Sequence, residues 1–381
     1  MPQRLAGADP AAGRGGGGGR RGRAGGGGGS VSAAASAAGR ARAVVVGGGV
    51  AGLAAALELR ARGLEVLLLE AGPRLGGKVR SERVDGFLLE YGPDSFVTYK
   101  PGVVEMARRL GLEGRMIPTE PGPGSFIWSR GRLEPVPAGL DLMVPADLRQ
   151  LLATRLLSWP GKLRALADLV VPPRAGGGDE SLESFVVRRL GREVLERLAE
   201  PLIAGIHGAP PERMSLLAAF PRYAEMEREA GGLIRAVTAR RRAARAAGAG
   251  RGDGAAPPAG ANGAAPGPRR TFFMSFDEGM GTLVEAMAAA LAEAGVPARL
   301  GEAVEALEPA PGGRGYRLHL AGGERLEAEG VVVAVPAPSA AALLERLDAE
   351  LAELLGAIES TPVAVVNLAY RQEAFPEPLR G

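Results

Sequence analysis

The stretch from Arg42 to Glu70, RAVVVGGGVAGLAAALELRARGLEVLLLE, restricts the possible folds of this chain more than any other. Ala43 to Val46 is a short β-branched apolar run, the composition of a strand buried on both faces, and it ends abruptly in Gly47, Gly48 and Gly49. A helix is expected to follow. Val50, Leu53, Ala54, Leu57 and Leu59 carry its apolar character, Ala51 to Ala56 favours helix, and Gly63 marks the exit. A second apolar run, Val66 to Leu69, comes next, and Glu70 closes it. The spacing Gly47-x-Gly49-x-x-Gly52 fits a dinucleotide fingerprint: Gly47 permits the tight turn, Gly49 lets backbone approach a pyrophosphate, and Gly52 lets helix pack closely on strand. The helix N-terminus at Val50 and Ala51 turns free N–H groups and a positive dipole toward the phosphates. Glu70 stands where an acid accepts hydrogen bonds from ribose hydroxyls. In a chain with 59 glycines the spacing alone proves little, so the strand, helix, strand and acid in that order carry the weight. They do not distinguish NAD from FAD.

Composition narrows the chemistry. The absence of cysteine excludes disulfides, thiolate catalysis and Cys-based metal centres, and His207 and His319 are too few and too far apart in sequence for a His-based metal site or triad. Redox chemistry here would need an organic cofactor. The formal charge of +3 is unevenly spread: residues 1–42 and 240–270 each hold seven Arg and one Asp, so the rest of the chain is net acidic. The basicity belongs to two low-complexity segments and gives no reason to expect nucleic acid as a partner. No apolar run is long enough for a membrane span, and the N-terminal forty residues lack the apolar core of a secretory signal. They read as a disordered Gly/Arg-rich leader.

Along the chain, AGPRLGGKVR after Glu70 is a turn with two adjacent glycines bounded by cations, which suits a loop close to a phosphate or flavin edge. Gly86 to Phe96 reads as a short strand and a Gly-Pro turn, Pro101 to Leu110 as a helix, and Ser125 to Val136 as a hairpin turning at Arg130 and Gly131. Leu148 to Ala167 has four cations, no acid, many Leu and Trp159 before Pro160. It reads either as two core helices joined at Pro160 or as a segment lying on a membrane surface. Ser181 to Glu200 should be helix and Pro201 to Gly208 an apolar turn. After residues 240–270, a Gly/Ala/Pro-rich insertion, a strand edge leads into a helix over Thr282 to Ala294 and a strand within Pro297 to Leu307. A hairpin of Tyr316 to Leu320 with Arg325 to Ala328, a separate strand over Gly330 to Val335, a helix over Ser339 to Leu355 and a strand over Val363 to Tyr370 complete the expectation.

Taken in order, these motifs resemble the flavin-containing amine oxidase superfamily and, within it, the bacterial protoporphyrinogen and coproporphyrinogen III oxidases. The generic part is the fingerprint, Glu70 with Ala71, and Arg74-x-Gly76-Gly77-Lys78. The narrower part is YGPDSF with Lys100 downstream, GRLEPVP, LLSWPGKLRALADLVVPPR, the run from Glu180 through AEPLIAGIHGAPPERMSLLAAFP, FMSFDEGMGTL and TPVAVVNLAY. The resemblance implies FAD, with Gly47, Gly48, Gly49, Val50, Ala51 and Gly52 at the pyrophosphate and Glu70 and Ala71 at the adenosine ribose. It implies Arg74, Gly77 and Lys78 along the ribityl and phosphate path, Gly92, Pro93, Asp94 and Ser95 beside the flavin, and Val304 at the adenine edge. Phe96 and Lys100 would meet the substrate, Lys100 through its carboxylates, and no protein side chain need act as the catalytic base, since flavin N5 takes the hydride. The implied activity is O₂-dependent oxidation of a porphyrinogen in haem biosynthesis, with coproporphyrinogen III favoured over protoporphyrinogen IX.

The expected fold is α/β, α+β overall: a Rossmann-like FAD-binding domain interleaved with a mixed sheet-and-helix substrate domain. Residues 1–41 are the tail, 42–95 and 271–338 the two parts of the FAD-binding domain, 96–239 the substrate and membrane-associating domain, 240–270 a disordered insertion, and 339–381 an incomplete second part of the substrate domain. The resemblance implies a cytoplasmic protein, monomer or homodimer, with peripheral membrane contact through 148–167. Family members continue beyond a position like Gly381, so a C-terminally truncated chain is expected. Two other readings stay open: an amine oxidase or carotenoid desaturase on the same fold, and a truncated protein that holds FAD or tetrapyrrole without turnover.

Overall fold

The computed structural model describes residues 40–120, 125–137, 140–141, 143–145, 148–176, 178–246 and 271–375; residues 1–39 of the expected N-terminal tail and most of the 240–270 insertion lie outside them, while Arg40 and Ala41, expected as the end of the tail, are strand. β1 (Arg40–Val46), α1 (Val50–Ala61) and β2 (Val66–Glu70) form the βαβ unit anticipated from the glycine motif. Four later strands, β3 (Ala298–Leu300), β4 (Val304–Pro309), β5 (Tyr316–Leu320) and β6 (Arg325–Val333), complete a six-stranded sheet in the order β3-β2-β1-β6-β5-β4. The pairs from β3 to β6 through β1 are parallel, and β6, β5 and β4 form an antiparallel meander. β1 lies between β2 and β6, with Val44 opposite both Leu67 and Val331. Both of its faces are covered, which is why it is an unbroken Val run with Val44 and Val45 fully buried.

One face packs on α1 and on α2 (Gly281–Glu293), with Val45, Leu53, Ala56, Leu68, Leu283 and Met287 in the shared core. The other face carries Val44, Val46, Leu69, Leu307 and Leu318, covered by Leu343 of the helix Ala337–Leu344. A small antiparallel sheet of Phe96–Val97, Phe273–Phe276 and Met116–Pro118 extends the first core.

Residues 148–246 build a separate helical core around Leu151, Leu182, Phe185, Leu198, Ile203 and Leu233. Its polar centre is Arg189, fully buried. Nε donates to Asp168 Oδ1 at 2.6 Å, while the two other nitrogens reach Glu227 Oε1 and the carbonyls of Asp168, Val171, Pro172 and Gly231.

Several elements differ from the sequence expectation for visible reasons. Ser181 caps a helix that runs only to Arg189, because Gly191 adopts φ +96, where a helix cannot continue. Pro201 to Gly208 is not a turn: Glu200–His207 is helical, preceded by a π-helical stretch, Leu195–Ala199, whose wider turn accommodates the missing N–H of Pro201. Leu233–Ala246 is a helix that carries through the first residues of the expected insertion. Gly330 does not divide a strand, since it pairs with Ala43 within β6. The helix expected over Ser339 to Leu355 is two, the second restarted by Asp348, whose side chain caps Leu351 N–H. Val363 to Tyr370 is exposed and pairs with no strand among the described residues.

Candidate functional site

The site begins where β1 stops. Gly47 takes φ +104, and a Cβ there would come within 2.7 Å of Ala334 O at the end of β6. Gly52 allows no side chain at all, its Cβ position lying 1.8 Å from Gly47 O, so α1 presses directly on the turn. Gly49 is different: among the described residues, its two chain neighbours aside, no atom lies within 4 Å of where its Cβ would be. The space beside Gly49 is open, and α1 begins there with no side-chain cap, leaving the first N–H groups, including those of Val50 and Ala51, for a ligand. The turn also sits at the switch point between β1 and β6, where parallel sheets bind nucleotides.

Glu70 is held by the turn it serves. Oε2 accepts from Gly48 N–H at 2.6 Å and Oε1 from Gly72 N–H at 2.7 Å, so the carboxylate is fixed while each oxygen keeps a lone pair for a hydroxyl. Ala71 is the exposed residue between Glu70 and Gly72. The strand connection that follows β3 crosses here: Gly301 N–H donates to Gly72 O at 3.0 Å and Glu302 N–H to Glu70 O at 2.9 Å. These bonds lead directly to Val304, the first residue of β4, whose side chain packs with the Val46 and Leu69 core.

Two loops face this turn. In the first, Gly76 N–H donates to Gly48 O at 2.8 Å, and a Cβ on Gly77 would lie 3.1 Å from Gly49 Cα. Arg74 donates to the carbonyls of Leu75, Val79 and Gly77, so its guanidinium shapes the loop from within. Lys78 is exposed. In the second loop, Gly92 presses against Lys78 O, Pro93 is exposed, Asp94 O accepts from Ser275 Oγ at 2.7 Å, and Ser95 Oγ donates to Asp94 Oδ1 at 2.8 Å. Gly47 to Gly52, Glu70, the 74–78 loop and the 92–95 loop are thus linked by backbone contacts.

The two expected substrate residues separate. Phe96 is a core residue, 8% exposed, its ring 5.6 Å from that of Phe276. Lys100 is exposed, with Nζ 6.0 Å from the Tyr99 ring centre, and Tyr99 stacks on Phe272, which meets Phe273. Among the described residues no carboxylate pairs with Lys100 and no cluster of His, Asp or Glu could hold a metal. His319 lies on β5 opposite Ala306, and the side chain of His207 is outside the described residues. Sequence reading missed Gly301 and Glu302, whose contributions are backbone bonds, and Ser81 and Glu90, which meet the start of α2.

Residues 148–167 are two helices, as one of the two expectations has it, joined before Pro160 rather than at it. They form helices Leu148–Ala153 and Trp159–Leu166; Ser158 caps the second, and Pro160 sits in its first turn. Leu151, Leu156, Leu157 and Ala165 are core, whereas Leu148, Leu152, Trp159 and Leu163 are exposed, the last two at 65% each. Lys162 is buried, donating to Leu152 O at 2.7 Å with its ammonium 4.7 Å from the Trp159 ring. No described helix is long and apolar enough to cross a membrane.

A mixed sheet with parallel central strands, a glycine turn, an uncapped helix and an acid at the end of the second strand defines a dinucleotide-binding α/β protein. The chain belongs to the flavin containing amine oxidoreductase family, which it matches over residues 50–381. It is 36% identical over 352 residues to a coproporphyrinogen III oxidase of Propionibacterium freudenreichii subsp. freudenreichii, a match spanning 89% of this chain and 65% of that protein. To the chloroplastic protoporphyrinogen oxidase of Nicotiana tabacum it is 32% identical over 340 residues, covering 87% of this chain and 57% of the relative. A crystal structure of an Exiguobacterium sp. 255-15 protein assigned to the protoporphyrinogen oxidases superposes with a TM-score of 0.65 at 30% identity, over 83% of this chain and 64% of that one. The chain therefore spans less than two thirds of the length of these relatives. FAD is the cofactor of the family, and the open cradle at Gly49 with the braced Glu70 fits its pyrophosphate and ribose.

Proposed function

We propose that the protein is a porphyrinogen oxidase, converting coproporphyrinogen III to coproporphyrin III, with protoporphyrinogen IX as the second candidate. Bound FAD would supply a hydride acceptor that O₂ reoxidises, yielding hydrogen peroxide. The chain's own work is placement. Gly47 to Gly52 and Glu70 hold the adenylate half, Val304 lies by the adenine, the 74–78 and 92–95 loops bound the flavin half, and the substrate is set against it in a space poor in water.

The supporting observation is Lys100. An exposed cation with no carboxylate partner among the described residues stands beside the ring series Tyr99, Phe272 and Phe273, which suits a flat macrocycle with carboxylate arms. Phe96, being core, would act by supporting the strand that leads to Lys100. The relatives named as coproporphyrinogen III oxidases favour that substrate. The test is porphyrin fluorescence after the FAD-loaded protein meets either porphyrinogen in air, with amine and phytoene controls. No rate above autoxidation would refute the oxidase reading, and tight porphyrin binding without turnover would favour the non-catalytic one.

A membrane surface is the proposed second partner. Trp159, Leu163, Leu152 and Leu148 are exposed on helices with no acid, close in sequence to Arg149 and Arg155, the composition of an interfacial anchor.

A further inference from the structure

α2 starts without a side-chain cap of its own. Its first donors are satisfied from far away in sequence. Met280 N–H donates to Glu90 Oε1 at 2.7 Å, Gly281 N–H donates to Ser81 Oγ at 2.7 Å, and Ser81 Oγ–H donates in turn to Glu90 Oε2 at 2.6 Å. Ser81 and Glu90 are direct partners across the hairpin of Ser81–Val84 and Phe87–Glu90. The approach requires glycine on the helix side: Gly279, at φ +85, would put a Cβ 2.5 Å from Glu90 Oε1, and Gly281 would put one 3.0 Å from Ser81 Oγ. Among the described residues no Arg or Lys pairs with Glu90, so its charge is met by the positive end of α2 and by these hydrogen bonds.

The clamp lies at the root of both loops that face the nucleotide turn. Glu90 ends its strand, and Tyr91 to Ser95 follow at once; Gly92 within them would put a Cβ 1.9 Å from Lys78 O, so the second loop is packed on the first. α2 also touches the first loop directly, Val284 Cγ1 lying 2.8 Å from the position a Cβ on Gly76 would take. One helix therefore braces both walls, and Glu90 ties it to the farther one.

We propose that Glu90 is a positioning residue for the flavin-ring half of the cofactor, a role that depends on the flavin assignment above: clamped to the start of α2, it sets the 91–95 loop against the 74–78 loop. The adenylate half is held separately by Gly47 to Gly52 and Glu70, so the two halves of the cofactor should respond differently when the clamp is cut.

The experiment measures affinity for FAD and for ADP, and the visible circular dichroism of bound flavin, in wild type, Glu90→Gln and Glu90→Ala. ADP reports the adenylate half and serves as the control for folding. Glu90→Ala is expected to weaken FAD by about tenfold and to diminish the flavin dichroism, with ADP affinity unchanged within about twofold. Glu90→Gln, which keeps one acceptor, should recover most of the loss. Equal losses for FAD and ADP would reduce Glu90 to a structural residue and overturn the proposal, as would unchanged FAD affinity in Glu90→Ala. A wild-type protein that binds FAD no more tightly than ADP would instead overturn the flavin assignment itself, before any variant is compared.

Discussion

Gly49→Ala and Gly52→Ala should behave oppositely, although they are three residues apart in one motif. At Gly49 the backbone is at φ −69 and ψ 177, ordinary for alanine, and a Cβ meets no atom of the described residues beyond its chain neighbours within 4 Å. The folded protein without ligand should therefore change by less than about 1 kcal/mol. On the proposed binding mode, the methyl group instead occupies the space through which a pyrophosphate would reach the start of α1. Losing two charge-assisted hydrogen bonds, each worth about 1.5–3 kcal/mol, weakens FAD by roughly 100-fold or more. At Gly52 the Cβ would lie 1.8 Å from Gly47 O, a backbone atom that cannot step aside, so α1 must move off β1 and stability falls by about 3 kcal/mol. Denaturant unfolding of the ligand-free protein gives the stability arm, and flavin fluorescence titration gives the binding arm. A Gly49→Ala protein that binds FAD within threefold of wild type, or a Gly52→Ala protein as stable as wild type, would refute the reasoning.

Arg189→Leu should cost about 3–5 kcal/mol in urea unfolding, because it leaves the fully buried Asp168 carboxylate without its cation; Asp168→Leu in the same chain should recover part of the loss, and a single-variant cost under about 1 kcal/mol would contradict this. Burial pushes the Glu227 carboxyl up, but hydrogen bonds from Arg188 and the charges of Arg188 and Arg189 outweigh it and hold the group below its ordinary value of 4.5. A lowered folded value means fewer protons bound than in the unfolded chain, so this stabilisation is present above the unfolded value and fades as pH falls through the folded one. Thermal unfolding of wild type should therefore drop more steeply than that of Glu227→Gln from about pH 5 to about pH 3, and parallel curves would rule the contribution out. Replacing Trp159 and Leu163 together by Glu should abolish co-sedimentation with anionic vesicles without lowering the unfolding midpoint, since both are largely exposed; undiminished sedimentation would remove this face from the membrane reading.

The βαβ unit was legible because its signals are local: the Val run, the glycine spacing, the alanine-rich helix and Glu70 fall within thirty residues or so of one another. The hairpin at Arg130 and Gly131 was legible for the same reason, both residues adopting positive φ. Failures came where a distant partner decides. Gly330 looks like a break until Ala43 pairs with it, and Val363 to Tyr370 has strand composition with no strand beside it among the described residues. In the sequence Pro201 looks like the end of a helix because nothing local announces the π-helical turn before it. The Glu90 clamp and the Arg189 centre join residues far apart in sequence, and only the missing local cap of α2 could have hinted at the first.

β1 occupies the middle of its sheet, and one of its two neighbours, β6, is made only after most of the chain. During synthesis, therefore, Val44 can find Leu67 early but must wait for Val331, leaving an apolar strand edge open while the helical core is translated. The nucleotide turn that starts the sequence motif is consequently among the last parts to be closed. Gly47 reaches its final packing against Ala334 only when that late strand arrives, and cofactor capture should follow completion of β6 rather than emergence of the glycine motif.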